Sequence, residues 1–131
     1  MTKKELSQLY WINREIKKEK ERLAELEAAA TNTSAKISGL PHVSGISDKT
    51  AIAAQIADCK AIIEEKINLS VVEYNKLNRY IAIIDDSYIR QILRQRYILG
   101  YSWTKVAMCL GGKNTPDGVR KAHNRFLSRE K

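Results

Sequence analysis

The residues best equipped for chemistry lie near the carboxy-terminal end, in the run Thr115-Pro116-Asp117-Gly118-Val119-Arg120-Lys121-Ala122-His123-Asn124-Arg125. A hydroxyl residue followed by proline is a preferred helix start, because the hydroxyl caps free amides and proline suits the first helical position. At about 100° per residue, Val119, Ala122 and Phe126 point one way. Asp117, Lys121, Asn124 and Ser128 point the other, flanked by Arg120 and Arg125. That outer face carries the types that hold phosphates or read base edges: Arg and Lys for phosphate or guanine, Asn for adenine. Its chemistry is recognition of a polyanion. Arg120, Lys121 and Asn124 are the expected base-edge readers. Thr115, with the free N–H groups at the helix start, is expected to meet a phosphate. Arg94, Lys105, Lys113, Arg125 and Arg129 are expected to clamp the DNA backbone. Asp117 is the odd member of the face, since a carboxylate near DNA costs energy unless it accepts from a cytosine amine. His123 falls at the edge of the apolar face and is expected to pack.

Charge supports that focus. The 131 residues carry 23 Lys+Arg against 15 Asp+Glu, a net charge of +8. Residues 1–30 and 31–84 are each net +1, whereas residues 85–131 are net +6. So polarised an excess points to a polyanionic partner rather than to general solubility. Other chemistries lack their residues. There is no nucleotide-binding glycine motif, no nucleophile–base pairing and no carboxylate cluster suited to two metals, so neither enzymatic activity nor a cofactor is expected. Cys59 and Cys109 form no CxxC pair, and His42 and His123 have no ligand residues at metal spacing. Both cysteines are expected to behave as small hydrophobes.

The elements that must position this face read as helices. Residues about 3–30 place Leu9, Ile12, Ile16, Leu23, Leu26 and Ala30 in a 3–4 alternation, with Glu19 in the one polar slot. Residues 31–47 break that pattern with Thr, Ser, Asn, Gly and a proline, and read as a loop. A second helix is expected over about 48–84, capped by Ser47 or Asp48. Its seam runs through Ile56, Lys60, Ile63, Ile67, Ser70, Tyr74, Leu77, Ile81 and Ile84. Extra apolar residues (Ile52, Cys59, Ile62 and Val71) flank that seam and suggest self-association. Beyond Asp85-Asp86, short helices alternate with glycines: Ser87 to about Leu99, then a helix capped by Ser102, then the Thr115 helix. In the middle helix Trp103, Val106, Ala107 and Leu110 share a face, and Gly111-Gly112 ends it. The expected fold is all-α: a long antiparallel, coiled-coil-like helical hairpin over residues 1–84, with its loop at 31–47, then a three-helix helix-turn-helix domain over 85–131. The amino terminus has no apolar core of signal-peptide length, and no apolar run is longer than Tyr80–Ile84, far short of a membrane span. A reduced, cytoplasmic setting is expected.

These residues also carry a resemblance. Leu93-Arg94-Gln95-Arg96-Tyr97-Ile98, Gly100-Tyr101-Ser102-Trp103, Val106-Ala107 and Leu110-Gly111 resemble region 4 of the primary (sigma-70) sigma factors, the helix-turn-helix that reads the −35 promoter element. Val119-Arg120 and Arg125-Phe126-Leu127 fit its recognition helix. The turn at Gly111-Gly112-Lys113-Asn114 is about two residues longer than in that family, and Ser102-Trp103-Thr104-Lys105 lacks the usual acidic residue. Nearly the whole chain is similar to small phage and prophage proteins of Gram-positive bacteria. These combine a helical amino-terminal half, a Pro-His-x-Ser-Gly loop (Pro41-His42-Val43-Ser44-Gly45) and a sigma-4-like end with Asn114-Thr115-Pro116-Asp117. They are similar in turn to late transcription regulators of the RinA and ArpU type.

The resemblance implies DNA-binding control of phage transcription without catalysis. The expected partners are double-stranded DNA and further copies of the chain through the helical hairpin, with host RNA polymerase as an additional candidate. Two other readings stay open: a DNA-packaging protein like a terminase small subunit, or a protein-interaction module that binds no DNA.

Overall fold

The structure, a computed structural model, describes residues 1–36 and 45–130, except for the side chains of 32–48. Among the described residues the chain is all-helical. Its elements are α1 (Lys3–Leu6), α2 (Gln8–Lys36), α3 (Gly45–Ala82), α4 (Ser87–Leu93), a π-helical turn (Arg94–Ile98), α5 (Trp103–Leu110) and α6 (Pro116–Arg129). Among the described residues no helix is long and apolar enough to cross a membrane.

The first helix begins with a reciprocal cap. The Thr2 hydroxyl accepts from the Glu5 amide at 3.2 Å, and the Glu5 carboxylate accepts from the Thr2 amide at 2.8 Å. That hydrogen bond from the Thr2 amide, above all, holds the Glu5 carboxyl below its ordinary value. A turn at Ser7 then separates α1 from α2, where the periodicity had suggested one helix. The expected loop is also shorter, because α2 runs on to Lys36 and α3 starts at Gly45. The Pro-His-x-Ser-Gly block therefore lies mostly outside the described residues, as do the side chains of Ser47 and Asp48.

Two compact units emerge, one formed by Met1–Ile12 with Ser70–Lys131 and the other by Asn13–Leu69. The expected division at 84/85 thus differs from the packing. In the first unit, Leu6 and Leu9 from the chain start join Leu77, Ile81 and Ile84 from the end of α3. They share one core with Ile89, Ile92, Leu93, Tyr97, Val106, Ala107, Val119, Ala122 and Phe126. The reason is apolar area: a segment of about 45 residues buries little on its own. Arg90 of α4 secures the junction by donating to the carbonyls of Ile84 and, at 3.0 Å, Asp85.

In the second unit, Lys66 pairs with Glu15 at 2.6 Å, and the Cys59 thiol donates to the Glu19 carbonyl at 3.3 Å. As numbers rise in α2 they fall in α3, so the two segments run in opposite directions. Burial raises the Cys59 thiol pKa, consistent with an inert packing role. Ile56, Ile63, Ser70, Leu77, Ile81 and Ile84 of the expected α3 seam are buried or half-buried, but three positions differ. Cys59 rather than Lys60 is buried, Lys66 is more enclosed than Ile67, and Glu73 more than Tyr74. Ile67, Leu69, Val71, Val72 and Tyr74 are left 40–61% exposed.

Leu6 is fully buried in the core that holds α5 and α6. Leu6→Ala is expected to cost about 2–5 kcal/mol and to speed amide hydrogen exchange in α5 and α6. Unchanged exchange there would mean that the chain start does not support these helices.

Candidate nucleic-acid interface

The interface is built on three short helices whose ends are fixed by local chemistry. Asp86 caps α4 through the Tyr88 amide at 2.9 Å. The π-helical turn follows, closed by the Leu99 amide donating to the Arg94 carbonyl at 3.0 Å. Insertions of this kind often mark functional regions. Ser102 caps α5 as expected, accepting from the Lys105 amide at 3.2 Å. Arg96 braces the approach to α5: it donates to the Tyr101 carbonyl at 3.0 Å and lies 4.4 Å from the Trp103 ring centre.

The α5–α6 turn is held from two sides. Gly111 and Gly112 have φ of 70° and 62°, left-handed values that a side chain would strain. Asn114 then donates to the Gly111 carbonyl at 2.7 Å and accepts from the Tyr88 hydroxyl of α4 at 2.8 Å. The two bonds fix where α6 starts relative to α4 and α5.

At the start of α6, Thr115 accepts from the Gly118 amide at 3.0 Å. Its hydroxyl therefore caps the helix, which occupies one of the groups expected to meet phosphate. A Cβ at Gly118 would stand 3.0 Å from the Thr115 hydroxyl, a close contact.

Val119, Ala122, His123 and Phe126 are the buried residues of α6. His123 is fully buried, so packing is part of its role. Its polar contacts add a second part, which helical spacing did not reveal. The Tyr97 hydroxyl meets Nε2, and Nδ1 lies 2.9 Å from the Asn124 side-chain oxygen. A neutral imidazole satisfies both if Tyr97 donates to Nε2 and Nδ1–H donates to Asn124. Trp103 packs edge-on against the ring, with centres 4.9 Å apart. A buried histidine thus orients an exposed base-edge candidate. Burial holds the His123 imidazole below its ordinary pKa and pushes the Tyr97 phenol up to about 12.

The outward face gathers most of the expected residues. Asp117 pairs with Arg120 at 2.6 Å and with Lys121 at 3.0 Å. Lys121 first, then Arg120, holds its carboxyl below the usual range. These i,i+3 and i,i+4 pairs explain the carboxylate on a basic face: it sets the direction of two cationic side chains. Further along, Asn124, Arg125 and Arg129 line one surface cavity with Ser128. The remaining clamp candidates are exposed on other elements: Arg94 on the π-helical turn, Lys113 in the α5–α6 turn, and Lys105 on α5. Lys105 lies over the Tyr101 ring, 4.1 Å from its centre. Cys109, expected to pack, is exposed, as is its neighbour Met108 at 75%. The described residues hold no group of three or more His, Cys, Asp or Glu that could bind a metal ion.

Set against protein-family models, curated proteins and solved structures, the chain matches none.

The state of His123 gives a pH dependence with a definite sign. An unfolded histidine titrates near 6.5, and the folded value is lower. The neutral ring therefore contributes stability that is present above about pH 6.5 and is lost as pH falls through the folded value. The denaturant midpoint is expected to drop between pH 7 and pH 5. In His123→Gln that drop should shrink; an equal drop in both proteins would assign the pH dependence to other groups.

Proposed function

We propose that the chain is a phage-encoded, sequence-specific DNA-binding transcription regulator. In this reading α5, the glycine turn and α6 form a sigma-4-like helix-turn-helix, with α6 as the recognition helix in the major groove. One observation carries it. While one side of α6 is locked into the core, the other presents Arg120, Lys121, Asn124, Arg125 and Arg129 together. Arg and Lys supply the phosphate attraction, and Asn124 the donor–acceptor pair that fits adenine. The reading is non-catalytic: the face offers hydrogen bonds and charge, with no nucleophile beside a base. It also places the protein in the bacterial cytoplasm, where its DNA would be.

Within the same reading, residues 1–84 form an antiparallel helical hairpin that assembles copies of the chain. Support comes from α3, which leaves Ile67, Leu69, Val71, Val72 and Tyr74 open to solvent. Exposed apolar residues at this density on one helix are characteristic of association surfaces. Sedimentation equilibrium is expected to give a dimer or larger species; a monomeric mass at micromolar concentration would remove the assembly role.

Footprinting on the encoding phage genome tests the regulatory reading directly. Protection upstream of late genes is the expected outcome. Protection at the packaging site would favour a packaging protein instead, and no protection would favour an interaction module. On the protected site, Lys121→Ala and Asn124→Ala should each lower specific affinity by about 1–3 kcal/mol per lost base contact. Equal weakening on all sequences would reassign both residues to the DNA backbone.

A further inference from the structure

Two surface cavities, each of about 520 Å³, meet along α6. Asn124 and Ser128 line both, so these two residues form the ridge between them. On one side the wall consists of Arg125 and Arg129. On the other it is the first turn of the chain, including Lys3 and Lys4. Lys3 is near enough for its charge to disfavour protonation of His123, beneath the ridge. Two carboxylates share this second wall. Glu5 accepts the Thr2 amide in the α1 cap, and Glu130 also lines a separate cavity beside Tyr80. Lys3 and Lys4 are exposed.

A helix seated in a major groove about 12 Å wide has a sugar–phosphate backbone on each flank. A recognition helix therefore needs cations on both sides of its reading ridge. Arg125 and Arg129 supply them on one flank of Asn124 and Ser128, whereas on the other flank α6 carries the single cation Arg120, which is paired with Asp117. We propose that Lys3 and Lys4 provide that second clamp, each holding a phosphate of the opposite DNA strand while α6 lies between. The proposal rests on the reading of α6 as the recognition helix. It gives the near-neutral amino-terminal end a part in binding. It also supplies a reason for the α1 cap and for the buried Leu6, which together fix the first turn beside α6.

The test measures binding of the full chain to a random-sequence 30-base-pair duplex (length ~30, several helical turns) across a salt series. Each lost phosphate contact lowers the slope of log affinity against log salt by about 0.9. Lys3→Gln/Lys4→Gln is therefore expected to reduce the slope by about two contacts' worth, near 1.8, and to weaken binding on every sequence. The control, Lys17→Gln/Lys18→Gln, removes the same charge from exposed positions in the other unit and should leave the slope unchanged. An unchanged slope in the Lys3/Lys4 variant would overturn the clamp while leaving DNA recognition by α6 standing. Equal losses in both variants would also overturn it, because the effect would then be one of net charge. Absence of salt-dependent binding by the unaltered chain would remove the α6 reading and the clamp together.

Discussion

The rotation of α6 about its own axis is the constraint on which the other functional features depend. Val119 and His123 are fully buried, and Ala122 and Phe126 nearly so. Turning the helix by one residue's worth, about 100°, would expose this apolar side and bury cations without partners, which is strongly unfavourable. The same burial decides which side chains are offered outward. Nothing on the outer face has to be stabilising in itself, and its residues are free to be chosen for recognition. Asn124 is the exception, because its side-chain oxygen is tied to His123 and, through the imidazole, to Tyr97 of the π-helical turn. The orientation of one exposed amide is therefore set from within the core.

That core is not assembled from the carboxy-terminal segment alone. Leu6 and Leu9 enter it from the beginning of the chain, and Leu77, Ile81 and Ile84 from the end of α3. Short helices bury narrow stripes, and three of them leave apolar surface that other elements must cover. Using the two ends of the long helices for this purpose has a geometric consequence. The first turn is brought against the last helix, so residues about 120 positions apart in sequence line one cavity.

Polar contacts then refine what apolar burial sets up. Tyr88 and Asn114 hold the turn before α6, Arg90 closes the end of α3, and Arg96 braces Trp103. Asn114 and Arg90 donate to backbone carbonyls, Arg96 lies over an aromatic ring, and Tyr88 donates to the Asn114 side chain. None belongs to the outward face, and all act on where that face lies. Asp117 works at closer range, directing Arg120 and Lys121 within a single turn of helix.

What could be read in the sequence was local. The Ser102 and Thr115 caps, the glycine turn and the apolar faces of α5 and α6 follow from interactions within four residues, which spacing specifies directly. The Thr2-to-Glu5 cap and the pairing of Asp117 with Arg120 and Lys121 follow the same short-range rules but were not among the expected features. The seam of α3 was legible only in part. Its apolar residues occupy more than one face, so the 3.6-residue period fits a seam through Lys60, Ile67 and Tyr74 as readily as one through Cys59, Lys66 and Glu73. The partner helix chose between them, through Glu15 on Lys66 and Glu19 on Cys59. By itself, then, the sequence determined that the described chain is helical, where α5 starts and stops and α6 starts, and which face of α6 is polar, because those properties depend on neighbours along the chain. Only the tertiary structure decided that both ends of the long helices complete the α4–α6 core, that His123 orients Asn124, and that Lys3 and Lys4 stand beside α6. Those relations depend on burying apolar surface between distant segments, and no periodicity within one segment can encode them.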